Sequence, residues 1–209
     1  TVPVAPGIRG KDSMEIEIIR SREGVEAIAR EWESLLSEVP WSDIFMGPAW
    51  FAVWWRHFAE GRDAVSTCLH LGEHWIPIPG RKARPHVMAF RDRGRIRAVA
   101  PLILFEGRWK RLPFRILTLP LNSQSPRSGV PYACGADPLA REMAGFLARN
   151  REWDVLLLDG IPAMSLFVPA LRREAEGARL LPGEQRDRWS HSYLAMEGSW
   201  GEYLAGKTH

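Results

Sequence analysis

The spacing of apolar residues changes repeatedly along this chain between the period of a strand and the period of a helix. Met14 to Ile19 alternates polar and apolar side chains, which predicts a half-buried strand. From Val25 to Leu36 the apolar residues recur at intervals of three and four, which predicts an amphipathic helix. The changes continue to Ala205 and predict the order β-α-α-β-β-β-α-β-α-β, followed by the start of a helix. This order indicates an α/β fold with a mixed sheet flanked by helices.

Capping residues and turn residues indicate where the individual helices and strands begin and end. Ser21 is the predicted N-cap of the first helix, and Pro48 lies in the first turn of the second. Residues 49–58 are apolar on nearly all sides, which is typical of a helix that is buried or lies at an interface. The apolar run 153–158 predicts a buried strand of the mixed sheet. The remaining predicted strands are 65–71, 95–105, 114–121 and 192–196, and the remaining predicted helices are 137–150, 165–176 and one from 198.

The domain organisation follows from where periodicity is absent. Residues 1–13 are rich in Pro and Gly and show no periodicity, so we expect a flexible tail, with Met14 a candidate for the true start. Residues 14–209 are expected to form one domain. Within it, the segment from about 73 to 92 contains three prolines and is predicted to be a long surface excursion inside a β-hairpin.

Composition excludes several classes of protein. The chain has 209 residues, a net charge of +3 and two cysteines that form no CxxC pair. Its six histidines form no HxxxH or HExxH pair, so no metal site is predicted. No apolar run reaches the length of a membrane span, and no signal-peptide pattern precedes Met14. Without a disulfide framework, the cytoplasm is the expected location.

Four arginines alternate from Arg91 to Arg97, a spacing that could place them on one face of a strand. Such a row is a candidate nucleic-acid footprint. No aromatic RNA-stacking motif and no recognition-helix signature accompanies it. A solvated strand edge is therefore the favoured interpretation, and a nucleic-acid partner is not expected.

The polar loop 122–129 is the leading candidate site. Asn122, Ser125 and Arg127 concentrate hydrogen-bonding groups after a predicted strand, and Arg127 could bind a carboxylate or phosphate through two hydrogen bonds. The alternative is a solvated loop capped by Asn and Ser. His57 is a further candidate for substrate binding, although its place in an apolar helix favours a histidine of the core or of an interface.

No nucleophile can be assigned from the sequence. Cys134 is the cysteine nearest the polar loop, but no histidine partner can be identified for it. Ser125 is not part of a Gly-x-Ser-x-Gly elbow. The catalytic residues therefore remain unassigned.

Seven short motifs follow one another along most of the chain. They are WESL at 32–35, FMGPAW at 45–50, VWWRHF at 53–58, RAVAPL at 97–102, NSQSPR at 122–127, WDVLLL at 153–158 and WGEYL at 200–204. Each motif alone is weak, but their order and spacing resemble a bacterial family related to the GNAT acyltransferases. This is the CelD or BcsL-like group, which is named for cellulose biosynthesis. The family is similar to the FemAB-like proteins, which carry two GNAT-like halves.

The resemblance implies that this chain is the N-terminal half of an acyltransferase. The whole protein would transfer an acyl group, normally acetyl, from acyl-CoA to an amine or hydroxyl acceptor, with a saccharide precursor of polysaccharide biosynthesis as one candidate. In that plan the C-terminal GNAT-like half is the partner that holds acyl-CoA. The Arg/Gln-x-x-Gly-x-Gly/Ala turn that GNAT proteins use for the pyrophosphate does not occur here. We therefore expect the chain alone to bind no acyl-CoA and to be inactive.

Two functions of other classes stay open at this level. The apolar helix Trp50 to Phe58 could serve as the binding surface of a non-catalytic protein-interaction domain, because a large exposed apolar patch usually marks an interaction site. A nucleic-acid binder that uses Arg91 to Arg97 is the least favoured alternative.

Overall fold

A computed structural model gives the fold for most of the chain. It describes residues 14–59, 67–71, 74–78, 83–109, 112–120, 127–150, 152–183, 185 and 199–205. The strands are β1 (Glu15–Ile19), β2 (Thr67–Leu71), β3 (His74–Ile78), β4 (Ala83–Asp92), β5 (Arg95–Trp109), β6 (Leu112–Thr118) and β7 (Val155–Leu157). The helices are α1 (Arg22–Ser37), α2 (Pro48–Trp54), α3 (Ala136–Arg149), α4 (Phe167–Gly177) and α5 (Trp200–Ala205). The predicted tail 1–13 and the predicted strand 192–196 lie outside the described residues.

Five strands form one mixed sheet in the order β1-β4-β5-β6-β7. The pairs from β1 to β6 are antiparallel, whereas β6 and β7 are parallel. Helix α3 lies between β6 and β7 in the sequence and makes the crossover that a parallel pair requires. Strands β2 and β3 form a separate two-stranded sheet. The prediction of an α/β fold with a mixed sheet is confirmed.

The sheet has an apolar core on each face, because successive residues of a strand point to opposite sides. In β4, Met88 and Phe90 join a core with residues of α3 and α4. Their neighbours Val87 and Ala89 join the other core with residues of α1 and α2. The sheet is therefore covered by helices on both faces.

Helix α1 begins and packs as its sequence predicts. The Ser21 side chain caps it by accepting a hydrogen bond from the Gly24 N–H at 3.1 Å. The buried residues of the helix follow the predicted spacing, and they are Val25, Ile28, Trp32 and Leu35. The Trp32 indole also donates a hydrogen bond to the Met46 carbonyl at 3.0 Å, which ties the helix to the segment before α2.

The second helix begins at Pro48 as predicted but is less uniformly buried than its sequence indicates. It continues past α2 as a π-helical turn, Trp55–Ala59. Phe51, Trp54 and Trp55 are buried in the core with α1. The opposite side faces solvent, and Val53 there is 49% exposed. The helix therefore separates a buried face from an exposed one.

The predicted surface excursion at 73–92 is wrong. The segment contains β3 and β4, and β4 lies between β1 and β5 in the sheet with Val87 to Phe90 fully buried. Pro85, which argued against a strand, lies beyond the end of β1, because Ile19 pairs with Val87. That part of β4 has a described partner on one side only, and proline is tolerated in such an edge-like setting.

The structure does not place the four arginines from Arg91 to Arg97 on one strand. Arg93 and Gly94 form the two-residue turn between β4 and β5, both with positive φ, 51° and 80°. Arg91 therefore lies on one strand, whereas Arg95 and Arg97 lie on the next. Arg91 forms ion pairs with Glu17 at 3.0 Å and Glu31 at 2.7 Å, and both Arg95 and Arg97 pair with Glu38. These arginines are balanced by carboxylates of the same chain.

The run 153–158 contributes a strand that is shorter and less buried than predicted. Strand β7 comprises three residues, Val155–Leu157, and all three are half-buried at the edge of the sheet. The edge position explains the difference, because only β6 pairs with this strand among the residues that the structure describes. Among all the residues that the structure describes, no helix is long and apolar enough to cross a membrane.

Candidate functional site

The structure describes two of the four residues predicted to bind substrate. Asn122 and Ser125 lie outside the described residues. His57 is exposed on the π-helical turn after α2, so it is not the core histidine that its apolar neighbours favoured. Arg127 is partly buried and lies among other polar groups. Among the predicted residues, Arg127 is therefore the one from which the candidate site can be located.

Arg127 lies against an aspartate that the sequence analysis did not single out. Its Nε is 3.6 Å from Oδ2 of Asp43. Asp43 caps the short 3-10 helix Ile44–Met46, with Oδ1 accepting a hydrogen bond from the Phe45 N–H at 2.9 Å. Its Oδ2 is buried and accepts no hydrogen bond within the described part of the chain. One oxygen of Asp43 is thus structural, and the other faces Arg127.

The next residue, Ser128, joins this loop to the end of β7. Its backbone N–H donates a hydrogen bond to the Gly160 carbonyl at 2.9 Å. Its side chain is fully buried, and Oγ has no hydrogen-bond partner among the described residues. A buried hydroxyl without a partner is uncommon, so Ser128 is a candidate hydrogen-bonding group for a ligand.

Asp159 precedes Gly160, whose carbonyl accepts the hydrogen bond from Ser128. It follows β7 directly, and its Oδ1 accepts a hydrogen bond from the Gly160 N–H at 2.8 Å. Burial raises the pKa of the Asp159 carboxyl, and the hydrogen bond from Gly160 opposes that shift. We call Asp43, Arg127, Ser128 and Asp159 the Arg127 cluster.

The Arg127 cluster lies where the two parallel strands end. Strand β6 ends at Thr118, which pairs with Leu157, the last residue of β7. In α/β sheets, ligands commonly bind beyond the carboxyl ends of parallel strands. The loop is also packed closely, because a Cβ on Gly129 would lie 2.7 Å from the Met46 side chain. This contact keeps the segment after Arg127 against the 3-10 helix that carries Asp43.

Cys134 and Tyr132 follow the loop but do not resemble catalytic groups. Burial raises the pKa of the Cys134 thiol and, separately, that of the Tyr132 hydroxyl. A thiol with a raised pKa stays protonated near neutral pH and is a poor nucleophile. Tyr132 packs between Trp41 and Phe167, with ring centroids 5.0 and 6.2 Å away.

A second polar cluster lies on the α3 side of the sheet, around Glu152. The Arg20 guanidinium lies 2.8 Å from Oε2 of Glu152, and the Arg84 guanidinium lies 4.0 Å from the same oxygen. Nδ1 of His86 is 3.9 Å from it. The His86 side chain is fully buried, and neither ring nitrogen has a hydrogen-bond partner in the described structure. We call Arg20, Arg84, His86 and Glu152 the Glu152 cluster.

The charges around His86 act on its pKa in opposite directions. Together they lower the pKa from 6.5 to about 4: burial lowers it most, Arg20 and Arg84 also lower it, and Glu152 raises it. The ring is therefore neutral near pH 7. The Glu152 carboxyl shifts the other way, since the hydrogen bond from Arg20 holds its pKa below the usual range.

Asp43, Asp159 and His86 were missed by the sequence analysis. Asp159 carries one usable signal, because it is the first polar residue after the apolar run 153–158. Asp43 shows only a capping pattern, and His86 lies in a segment predicted to be a surface excursion. Among the described side chains, no group of three or more His, Cys, Asp or Glu residues could hold a metal ion.

Comparison with protein-family models, with curated proteins and with solved structures returned no significant match to this chain. The function proposed below therefore rests on the contacts of the chain's own residues and on the motifs that its sequence contains.

Proposed function

We propose that this chain is the N-terminal, acceptor-side half of a GNAT-type acyltransferase. The observation that carries the proposal is the Arg127 cluster at the end of the β6–β7 pair. It combines a cation, a buried unpartnered hydroxyl and a carboxyl with a raised pKa at the edge where α/β sheets commonly bind ligands. The motifs shared with the CelD or BcsL-like family supply the reaction class.

The start of α3 favours a division of labour between two halves. In GNAT proteins the pyrophosphate binds where a strand turns into a helix, and here β6 is followed by α3. Asp137 places a carboxylate in the first turn of α3, and Arg173 pairs with it at 2.6 Å. A carboxylate at that end repels a pyrophosphate, so acyl-CoA is assigned to the second half.

In this scheme the Arg127 cluster orients the acceptor and prepares it for attack. Arg127 and Ser128 offer donors to an acceptor oxygen. Asp159 accepts the proton that the amine or hydroxyl loses as it attacks the thioester carbonyl, and CoA leaves as the thiol. A raised carboxyl pKa makes Asp159 a stronger base than an ordinary aspartate, which suits proton transfer near neutral pH.

The test is made in the protein that carries this chain together with its second half. Asp159→Asn keeps the size of the side chain and removes the base. We expect kcat for CoA release from acetyl-CoA to fall about 100-fold, the lower end for loss of a general base. The KM for acetyl-CoA is expected to stay unchanged. Asp154→Asn is the matched control, because Asp154 is an exposed carboxylate paired with Arg115 at 2.9 Å.

Equal activities of the Asp159→Asn and Asp154→Asn variants would remove Asp159 from the mechanism. A separate measurement tests the division of labour itself. Calorimetry of the 209-residue chain with acetyl-CoA is expected to detect weak binding or none, because the pyrophosphate turn is absent. Micromolar binding would contradict the assignment of acyl-CoA to the second half.

The alternative of a protein-interaction domain receives less support. The helix at Trp50 to Phe58 would have to present its large apolar side chains to a partner. Phe51, Trp54 and Trp55 instead lie in the chain's own core, and Val53 is the large apolar residue of this helix that is exposed. One exposed valine is an ordinary surface feature.

A further inference from the structure

We infer that Arg20, Arg84 and His86 form a binding site for a small phosphate-type dianion, and that the Glu152 carboxylate occupies this site in the structure. The Glu152 cluster shares no residue with the Arg127 cluster. The inference therefore stands apart from the acyltransferase proposal.

One carboxylate oxygen of Glu152 lies near three groups but accepts a hydrogen bond from only one of them among the described residues. Oε2 of Glu152 is within hydrogen-bond distance of Arg20, at 2.8 Å, but lies 4.0 Å from Arg84 and 3.9 Å from His86. Nε of Arg84 and both ring nitrogens of His86 are buried and have no hydrogen-bond partner among the residues described. Buried polar atoms are normally paired, so Nε of Arg84 and Nδ1 of His86, the ring nitrogen near Glu152, indicate a missing partner.

The positive charge of the two arginines in the cluster also exceeds the negative charge of Glu152. Among the residues that the structure describes, two guanidinium groups face one carboxylate, which leaves one positive charge uncompensated. If the Glu152 side chain rotates away, two positive charges remain, and a phosphate dianion neutralises both. A tetrahedral phosphate also presents more acceptor oxygens than a carboxylate, so it can reach both guanidinium groups and the imidazole together.

The geometry allows an anion to enter and Glu152 to leave. The side chains of Arg20, Arg84 and Glu152 are 42%, 42% and 40% exposed, so solvent reaches the guanidinium groups while His86 lies beneath them. Glu152 lies between the end of α3 and the start of β7, and its N–H is held by Oδ1 of Asn150 at 2.8 Å. Its side chain can therefore rotate while its backbone stays in place.

The test titrates the 209-residue chain with inorganic phosphate by calorimetry at constant ionic strength. Glu152→Gln removes the internal competitor, and we expect phosphate to bind about tenfold more tightly, the effect of one charge-assisted hydrogen bond. Adding Arg84→Gln to that variant is expected to abolish the gain. Glu174→Gln is the matched control, because it removes a carboxylate from another ion pair, with Arg141 at 3.7 Å, that has no buried histidine beside it among the described residues.

A second readout uses the unaltered chain and needs no variant to fold. Sulfate remains a tetrahedral dianion at the acid pH where His86 titrates, so the midpoint of the His86 ring titration, followed by NMR, is expected to move to higher pH when sulfate is added. At mildly alkaline pH, where phosphate is a dianion, the monoanion acetate is expected to bind more weakly than phosphate. The inference is overturned if Glu152→Gln binds phosphate no more tightly than Glu174→Gln, if acetate binds as tightly as phosphate, or if the His86 signals do not respond to sulfate.

Discussion

His86 places an ionisable ring inside the core with no hydrogen-bond partner among the described residues. The protonated ring is disfavoured there by burial and by two nearby guanidinium groups, and this explains its low pKa. Between about pH 4 and pH 6.5 the unfolded chain therefore binds more protons at this site than the folded chain does. Stability from this residue is complete above pH 6.5 and is lost as the pH falls toward 4.

This linkage predicts how stability changes with pH. For pKa values of 6.5 unfolded and about 4 folded, His86 should destabilise the fold by about 2 kcal/mol at pH 5 relative to pH 7. His86→Leu removes the titrating ring and its unpaired nitrogens at similar volume. We therefore expect the variant to lose about 2 kcal/mol less than the parent chain between these two pH values. Urea unfolding at pH 7 and pH 5 measures the difference.

The control for this measurement is His57→Gln, which removes an exposed histidine. Its pH dependence is expected to match that of the parent chain. If His86→Leu shows the same loss between pH 7 and pH 5 as the parent, then the buried ring is not the source of the acid sensitivity.

At the residue scale, the sequence located Arg127 but could not identify the groups around it. The carboxyl of Asp159 has a raised pKa because it is buried, and burial depends on segments far away in the chain. Ser128 contacts Gly160 and Arg127 contacts Asp43 only after the sheet has formed. Periodicity reports which face of an element is buried, and it carries no information about such contacts between loops.

Elements whose signals are local were predicted well, and β4 shows why others were not. Helix α1 has its own cap at Ser21 and one apolar face, so its limits are visible in the sequence. Strand β4 is covered by helices on both faces, so Val87 to Phe90 is a continuous apolar run without alternation. Because Pro85 precedes it, the sequence alone predicts an irregular segment there. The structure shows that β1 and β5 flank the run in the sheet.

The turn between β4 and β5 offers a test at the element scale. Gly94 has φ of 80°, a conformation that side chains with a Cβ disfavour by about 1–2 kcal/mol. We expect Gly94→Ala to lower the free energy of unfolding by about 1 kcal/mol, although nothing lies within 4 Å of the added Cβ. Denaturant unfolding measures the change.

Gly145→Ala is the matched control, since Gly145 lies within α3 and its added Cβ would make an ordinary 3.4 Å contact with Arg149. There the same substitution should raise stability by up to about 1 kcal/mol, because alanine favours the helix. If Gly94→Ala lowers stability no more than Gly145→Ala does, then the positive φ of Gly94 does not determine the outcome.

At the scale of the whole molecule, the sequence predicted the alternation of helices and strands, but it missed β3 and β4 and did not show which strands are neighbours. The alternation of periods gives β-α-α-β-β-β-α-β-α, yet it does not show that β1 pairs with β4 or that β7 pairs with β6. Both pairings join strands that are distant in the sequence. They depend on the packing of helices on the two faces of the sheet, which residue spacing does not reveal.

Helix α5 is specified locally by its capping residues. Ser199 and Glu202 form a capping box, with the Ser199 N–H donating to Glu202 Oε2 at 2.6 Å and the Glu202 N–H donating to Ser199 Oγ at 3.3 Å. The helix has six residues, and a helix this short is marginal in water without packing. Trp200 is nevertheless 60% exposed. The proposal of a second half gives this tryptophan a surface to pack against.

Trp200 therefore allows the half-enzyme proposal to be tested by stability alone. In the 209-residue chain, Trp200→Ala removes an exposed side chain and should change the free energy of unfolding by less than about 0.5 kcal/mol. In the protein extended through its second half, the same substitution should cost about 2–3 kcal/mol, because a large apolar side chain would lose a buried contact. Leu166→Ala is the control, since Leu166 is exposed before α4 and should have a small effect in both proteins. Denaturant unfolding of the two chain lengths gives the comparison.

If Trp200→Ala has the same small effect in the extended protein, then the second half does not pack on α5. The half-enzyme proposal would then lose its support from stability, because the exposed tryptophan would not mark a contact with the second half.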